Sequence, residues 1–262
     1  MTTTPQVDED LVRLLDDAAT GVRDVVNAGA TDVDAAYAVQ QALVARRLAR
    51  GATQVGWKLG FTSLAKMAQM GISDVIVGRL TSDMEVPDGG AANLRRFIHP
   101  RVEPEVAYRL ARDVDPDAPA DDIVAAVDAV APALEIIDSR YVEFRFTLAD
   151  VVADNTSAAG FVIGPWTPLG AAGELGGRPV SLAVDGEVAE SGSTDAILGH
   201  PMKALPALAD MARRLGLTLR AGEVILAGAA TAAVPLTPGA RVEGHVTGLG
   251  SVTVLGGGEV RS

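Results

Sequence analysis

The stretch AVAPALEIIDS, residues 129–139, constrains this chain more than any other. It sets Glu135 among Val130, Ala131, Ala133, Leu134, Ile136 and Ile137, all of which ask to be buried. An ionised carboxylate is costly to bury unless something compensates its charge. Glu135 therefore needs a partner, and the chain must fold so as to bring one to it.

Candidates stand upstream, in RVEPEV. Glu103 and Glu105 are two residues apart, and in a strand that spacing puts both carboxylates on one face while Val102, Pro104 and Val106 take the other. Two anions side by side repel, and a third would make matters worse. A divalent cation resolves both problems. Three carboxylates without Cys or His suit a hard, oxygen-preferring ion such as Mg²⁺, with Mn²⁺ a close substitute. Glu-Pro-Glu is equally compatible with a solvated strand edge that uses charge and proline against aggregation, and Glu135 with a surface turn. Spacing alone leaves the two readings open.

Composition removes other classes. The 262 residues suffice for a substantial core, and the net charge of -12 argues against general nucleic-acid binding. There is no cysteine, hence no disulfide or thiolate metal site. The N-terminus MTTTPQVDEDLVRLL lacks the pattern of a secretion signal, and no run reaches the ~18 apolar residues of a membrane span. A cytoplasmic protein with no membrane partner is expected.

Along the chain, DEDLVRLLDDAATGVRDVV and DVDAAYAVQQALVARRLARG carry helical apolar spacing, the second capped by Asp32 or Asp34 and stopping at Gly51. Residues 1–50 are expected to form a helical segment packed on a catalytic α+β domain of residues 51–262. LAKMAQMGI reads as a short helix and FIHPRVEPEVAYRLA as a strand. ADDIVAAVDAVAPALEII reads as a helix broken by Pro132 before a strand at Ile136 and Ile137. SLAVDGEVAESGS predicts a hairpin turning at Asp185-Gly186. HPMKALPALADMARRLG predicts a helix limited by Pro206, and the C-terminal third is strand after strand. Helices first and strands later predict an α+β fold with a mixed or antiparallel sheet.

The motifs GWKLGFTS, HPRVEPEVAY, PALEIIDSRY, DVVADNTSA and ILGHP, taken in order, resemble the hydratase/decarboxylase branch of the fumarylacetoacetate hydrolase superfamily. The resemblance runs from about residue 30 to the C-terminus and leaves only the first helix unplaced. It implies a mixed β-sheet, β-roll-like core, edged by helices. It also implies a Mg²⁺ or Mn²⁺ site at Glu103, Glu105 and Glu135, with Lys58 in the active site. Asp154 is implied near the metal, as a catalytic or supporting group, with Asn155 beside it. Ile76, Ser157 and Thr231 are candidates for substrate contact. The Gly-Ala-Ala-Thr around Thr231 departs from the Gly-Gly-Leu-Thr that the branch's decarboxylases more often show.

Within that branch, Ile76-Val77-Gly78, KMAQMG, LTSDM and EIIDSRYVEFRFTLADVVADN lean towards decarboxylases of 2-oxo-3-hexenedioate rather than hydratases of 2-hydroxypenta-2,4-dienoate. The expected substrate is a small 2-oxo dicarboxylate, and the resemblance implies an oligomer and a complex with a dienoate hydratase. A catalytically silent scaffold for such a hydratase is the alternative from another class; an intact set of three glutamates and Lys58 speaks against it. From local sequence, Lys58 is a snorkelling strand lysine, and Arg101 and Arg140 are either substrate clamps or surface ion-pair partners, the second being the commoner role. His99, His200 and His245 share no ligand spacing and read as structural. No G-x-S-x-G elbow or P-loop is present.

Overall fold

The computed structural model describes residues 7–26, 32–64, 67–68 and 74–258. Two helices lead the chain. Helix α1 (Glu9–Gly21) is capped by Asp8, whose carboxylate accepts from the Asp10 and Leu11 amides, and it buries Leu11, Val12, Leu15 and Ala18. Helix α2 (Val33–Ala49) is capped by Asp32. Its inner face is partly polar: Gln40 donates to the carbonyls of Val77 at 3.0 Å and Val152 at 2.9 Å, and the Tyr37 hydroxyl accepts from the Val77 amide. These bonds fasten α2 to the strand that carries Ile76.

The remaining elements in chain order are β1 (Gln54–Gly60), β2 (Ile76–Thr81), β3 (Ala91–Asn93), β4 (Arg101–Leu110), α3 (Asp122–Ala126) and β5 (Val127–Ile137). They continue with α4 (Leu148–Ala153), β6 (Ala158–Ile163), β7 (Thr167–Pro168), α5 (Leu169–Ala172), β8 (Pro179–Val184) and β9 (Glu187–Ser193). Helix α6 (Ala204–Leu215), β10 (Val224–Ala229), β11 (Val234–Pro235), β12 (Arg241–Val246) and β13 (Gly250–Gly257) complete the chain. One sheet runs β2-β1-β10-β4-β5-β6, with β11 also on β4 and β7 also on β5; the other runs β3-β13-β12-β8-β9. Among the described strand pairs, β1 with β10 and β13 with β3 are parallel and the others antiparallel, so both sheets are mixed, as the α+β reading expects.

The alternation of β4 and β5 sorts two environments. Val102, Leu134 and Ile136 point to one side and pack with Leu182, Val242, Val252 and Val254 of the second sheet. Glu103, Glu105, Ala133 and Glu135 point to the other.

Two expectations are corrected by the same device. Pro132 does not end a long helix: α3 stops at Ala126, and Pro132 lies inside β5. It is tolerated because its outer edge faces the gap between Ile163 of β6 and Thr167 of β7, where only its carbonyl is used, by the Gly164 amide at 2.9 Å. Pro104 sits likewise at the gap between β10 and β11, its carbonyl taken by Ala230. Pro206 does not shorten α6 either, since it is the third residue of that helix, where an N–H has no intrahelical acceptor. The Asp185-Gly186 hairpin forms as expected, with φ of 52° and 90°. The helix expected over LAKMAQMGI, and with it KMAQMG, lies largely outside the described residues; Leu64, Met67 and Ala68 are helical.

Strand β1 lies against β10 so closely that a Cβ on Gly56 would meet the Val224 carbonyl oxygen at 2.1 Å. Gly56→Ala is expected to wedge the two strands apart, costing about 2 kcal/mol or more. Calorimetry should show Tm lowered by roughly 5 °C or more; an unchanged Tm would mean that this pairing is not close-packed.

Candidate metal centre

The three glutamates converge. Register places Glu103 directly across the ladder from Glu135, with Glu105 two residues along on the same face. One carboxylate oxygen from each lies within 4.8 Å of the other two. Glu105 and Glu135 are wholly buried, and Glu103 is half-buried at the edge of a cavity.

Their neighbours do not satisfy them. Oε2 of Glu105 accepts from the Gly228 amide at 2.7 Å, and Oε2 of Glu135 stands 3.0 Å from Lys58 Nζ, an ion pair without hydrogen-bond geometry. Oε1 of Glu105 and Oε1 of Glu135 have no hydrogen-bond partner within the protein. Buried carboxylate oxygens are rarely left so. Burial pushes the Glu105 carboxyl well above its usual range, and Glu135 adds to this, with Lys58 only partly offsetting them. Burial raises Glu135 as well, against the pull of Lys58. Three carboxylates and one ammonium sum to -2, the charge a divalent ion cancels. Oxygen-only donors with orphaned lone pairs inside one small volume fit Mg²⁺ or Mn²⁺.

Lys58 occupies the middle of β1, opposite Gly78 of β2 and Leu226 of β10. It is not a snorkelling lysine. The side chain is buried, and Nζ donates to the Thr156 carbonyl at 3.0 Å while facing Glu135. Burial alone would lower its pKa, but Glu135, Glu105 and Glu103 outweigh that and hold it above the ordinary lysine value, so it stays protonated. Gly78 makes room: a Cβ there would stand 2.7 Å from the Asn155 carbonyl oxygen and 3.1 Å from Lys58 Cγ.

A cavity of about 350 Å³ opens beside the centre. Lys58, Glu103, Ile76, Ser157 and Thr231 all line it, with Thr156, Ile137, Phe144, Phe146 and Val151. Of the expected site residues, Asp154 is placed differently. Its buried carboxylate is committed to Arg140, accepting from both the guanidinium and the backbone amide, and it is absent from the cavity wall. Burial pushes the Asp154 carboxyl up to about 6, with Arg140 restraining the rise. Asp154 thus supports the turn that follows it and does not touch the cavity. Arg140 is likewise a buried partner rather than a surface one, whereas Arg101 is exposed. His200 pairs with Glu174 and His245 with Ser251, while the His99 ring packs on Phe144. Thr156, Phe144, Phe146 and the Gly228 amide carry no local sequence signal of a site; only the fold gathers them.

The chain matches the fumarylacetoacetate (FAA) hydrolase C-terminal family over residues 66–254, and it belongs to that family. It is 51% identical over 231 residues to a 4-oxalocrotonate decarboxylase of Pseudomonas sp, covering 88% of this chain and 89% of that one. A 2-keto-4-pentenoate hydratase of Paraburkholderia xenovorans is 39% identical over 223 residues, covering 84% and 82%. The structure of 4-oxalocrotonate decarboxylase from Pseudomonas putida G7, complexed with magnesium and adipate, superposes with a TM-score of 0.89 at 36% identity, covering 95% of this chain and 98% of that one.

Two outcomes test the centre. Glu135→Gln should weaken Mg²⁺ binding by about 10-fold or more in calorimetric titration, whereas Lys58→Met should keep the metal and lose most turnover. Metal affinity unaffected by the first, or turnover by the second, would contradict the assignment. The Arg140–Asp154 pair has its own test in pH. A carboxyl raised in the folded state holds its proton more tightly than in the unfolded chain, so its contribution to stability falls as pH rises from about 4 to about 6. Arg140→Met strips the countercharge, a loss of about 3–5 kcal/mol. Its Tm should be lower at pH 8 than at pH 5.5, by a wider margin than in the parent chain.

Proposed function

We propose that this chain is a divalent-metal-dependent lyase that converts 2-oxo-3-hexenedioate to 2-hydroxypenta-2,4-dienoate and CO₂, a step of aromatic meta-cleavage catabolism. The observation that carries the reading is the convergence of Glu103, Glu105 and Glu135 beside a protonated, buried Lys58. Such an ion, held by the three carboxylates, would supply Lewis acidity toward the 2-oxo acid end of the substrate.

The residues of the chain do the rest. Cleavage of the C5–C6 bond sends its electrons through the C3–C4 double bond to the oxygen at C2, and that oxygen then needs a proton. Among the described residues Lys58 is the one cationic side chain in the cavity wall, its ammonium set by the Thr156 carbonyl and Glu135. It offsets the developing charge and can deliver the proton to the C2 oxygen. Ile76, Ile137, Phe144, Phe146 and Val151 give the cavity an apolar side. A carboxylate placed there loses hydration that neutral CO₂ does not require, which favours the departure. Ile76 puts an apolar side chain in this wall, whereas hydration would need a group that handles protons and water.

Hydration of the dienoate is the second reading, favoured by the relatives of that activity at 39% identity. The intact glutamates and lysine stand against a silent scaffold. A complex with a dienoate hydratase, an oligomeric state and a cytoplasmic location belong to the same proposal. Kinship with both activities supports the pairing, and no helix among the described residues is long and apolar enough to cross a membrane.

Ultraviolet-monitored turnover of 2-oxo-3-hexenedioate and of 2-hydroxypenta-2,4-dienoate, with and without Mg²⁺, decides the reading. The first should be consumed only with metal and the second spared; the reverse preference would make the chain a hydratase. Ile76→Asp should cut CO₂ release by about 10-fold or more relative to hydration. An unaltered ratio would remove Ile76 as the discriminator.

A further inference from the structure

Between α4 and β6 the backbone does something costly. Asn155, Thr156 and Ser157 take φ of 48°, 55° and 58° in succession, the left-handed region, with no glycine among them. Thr156 is β-branched, for which that conformation is a true outlier. Left-handed backbone elsewhere among the described residues falls mostly to glycine, with single or paired non-glycine residues at Val22, Phe61, Glu143, Phe144, Asp185 and Leu198; the run of three in succession is at 155–157.

Asn155 has a reason to be there. Its amide oxygen accepts from the Arg79 amide at 2.8 Å and its amide nitrogen donates to the Arg79 carbonyl at 2.9 Å, locking the turn to β2. Asn also tolerates the left-handed region. From the other side, the Asp154 carbonyl accepts from the Arg140 guanidinium and the Ser157 carbonyl accepts from the Asp138 amide. The turn is overdetermined, the condition under which strain persists at working sites. The hydroxyls of Thr156 and Ser157 contribute nothing to that lock. Both are buried, neither has a hydrogen-bond partner within the protein, and both residues line the cavity beside Lys58.

We propose that Thr156 is a substrate-positioning residue, whose hydroxyl, with that of Ser157 next to it, donates to the oxygens of a bound 2-oxo carboxylate. The left-handed turn presents the Thr156 carbonyl to Lys58 and its hydroxyl to the ligand. The end of the substrate served is the 2-oxo acid head. The Thr156 carbonyl lies within hydrogen-bond reach of an ammonium that itself touches Glu135, so the turn stands at the carboxylate end of the cavity. Donors are useful where negative charge persists or grows, and would hinder a carboxylate that must leave as neutral CO₂. This rests on the proposed function only for the identity of the head group.

The test uses the full-length, Mg²⁺-loaded protein with pyruvate, which carries the 2-oxo carboxylate and nothing beyond it. Thr156→Val keeps the branched shape and removes the hydroxyl. Calorimetric affinity for pyruvate and kcat/KM should each fall by about 10- to 100-fold, with Mg²⁺ affinity within about twofold of the parent. Thr156→Ser should restore most of the loss, which a purely structural role would not predict. Thr156→Gly suits the backbone and keeps the test valid should the valine variant not fold: Tm should be no lower than in the parent while pyruvate affinity falls. Pyruvate affinity within about twofold of the parent in a folded valine or glycine variant would overturn the proposal. A parent chain that binds pyruvate in a Thr156-dependent way, yet leaves 2-oxo-3-hexenedioate untouched, would refute the proposed reaction and keep the residue's role.

Discussion

Two carboxylates face each other across the β4–β5 ladder, and a third lies one pleat away on the same face. Like charges directly opposite in an antiparallel pair oppose its formation, and burial multiplies the cost. Much of the fold can be understood as what tolerates that arrangement. The two strands are the longest in the protein as described, so apolar side chains on their reverse face anchor the charged positions. On the charged face Ala107 and Ala133 leave room beside Glu105, while Phe161 of β6 stands across from Glu135. The one fixed cation comes from a strand that reaches β4 only through β10.

That route explains why β1 is held so firmly. Trp57, next to Lys58 and on the opposite face, donates from its indole to Glu223 at 2.8 Å, and the Arg79 guanidinium lies over its ring. Glu223 also accepts from Gln54 and from the Arg220 amide. A lysine has four flexible carbons, and its ammonium is useful only if the stem is confined. The strand fixes its base, Gly78 lets the stem pass, and the Thr156 carbonyl fixes its tip. Rigid strands thus carry the charges, and the left-handed turn at Asn155, Thr156 and Ser157 borders the same cavity.

What the sequence made legible follows from the range of the interactions. Capping aspartates, the Asp-Gly hairpin and the i, i+2 glutamates are local: Asp185-Gly186 and Glu103 with Glu105 read correctly, and of the two capping candidates Asp32 and Asp34 it is Asp32 that caps. Glu135 announced itself by conflict with its apolar neighbours. Pro132 misled because a proline is a helix breaker only where its missing N–H was wanted. Whether it is wanted depends on where a neighbouring strand ends, which no local window contains. Lys58 looked like a snorkelling lysine because its partner is brought to it by strand order alone. Asp154 sat in the right motif but turned its carboxylate to Arg140, a pairing invisible in spacing. Thr156 lies in the same motif, between Asn155 and Ser157, but nothing singled it out, since left-handed backbone at a threonine runs against its own propensity.

Charge resolves an apparent contradiction between the composition and the substrate. A chain of net charge -12 looks ill-suited to a dianion. The surplus is spread over exposed Asp and Glu, and at physiological salt its reach is about 8 Å. What the ligand meets is the local sum: three carboxylates, one ammonium and one divalent ion come to zero. The wall beside that neutral centre combines Lys58, Thr156 and Ser157 with the apolar Ile76, Ile137, Phe144, Phe146 and Val151. The same glutamates and lysine could then serve either lyase chemistry. On the proposed reading, the apolar side chains of that wall, Ile76 foremost, favour breaking the bond to carbon dioxide over forming one to water.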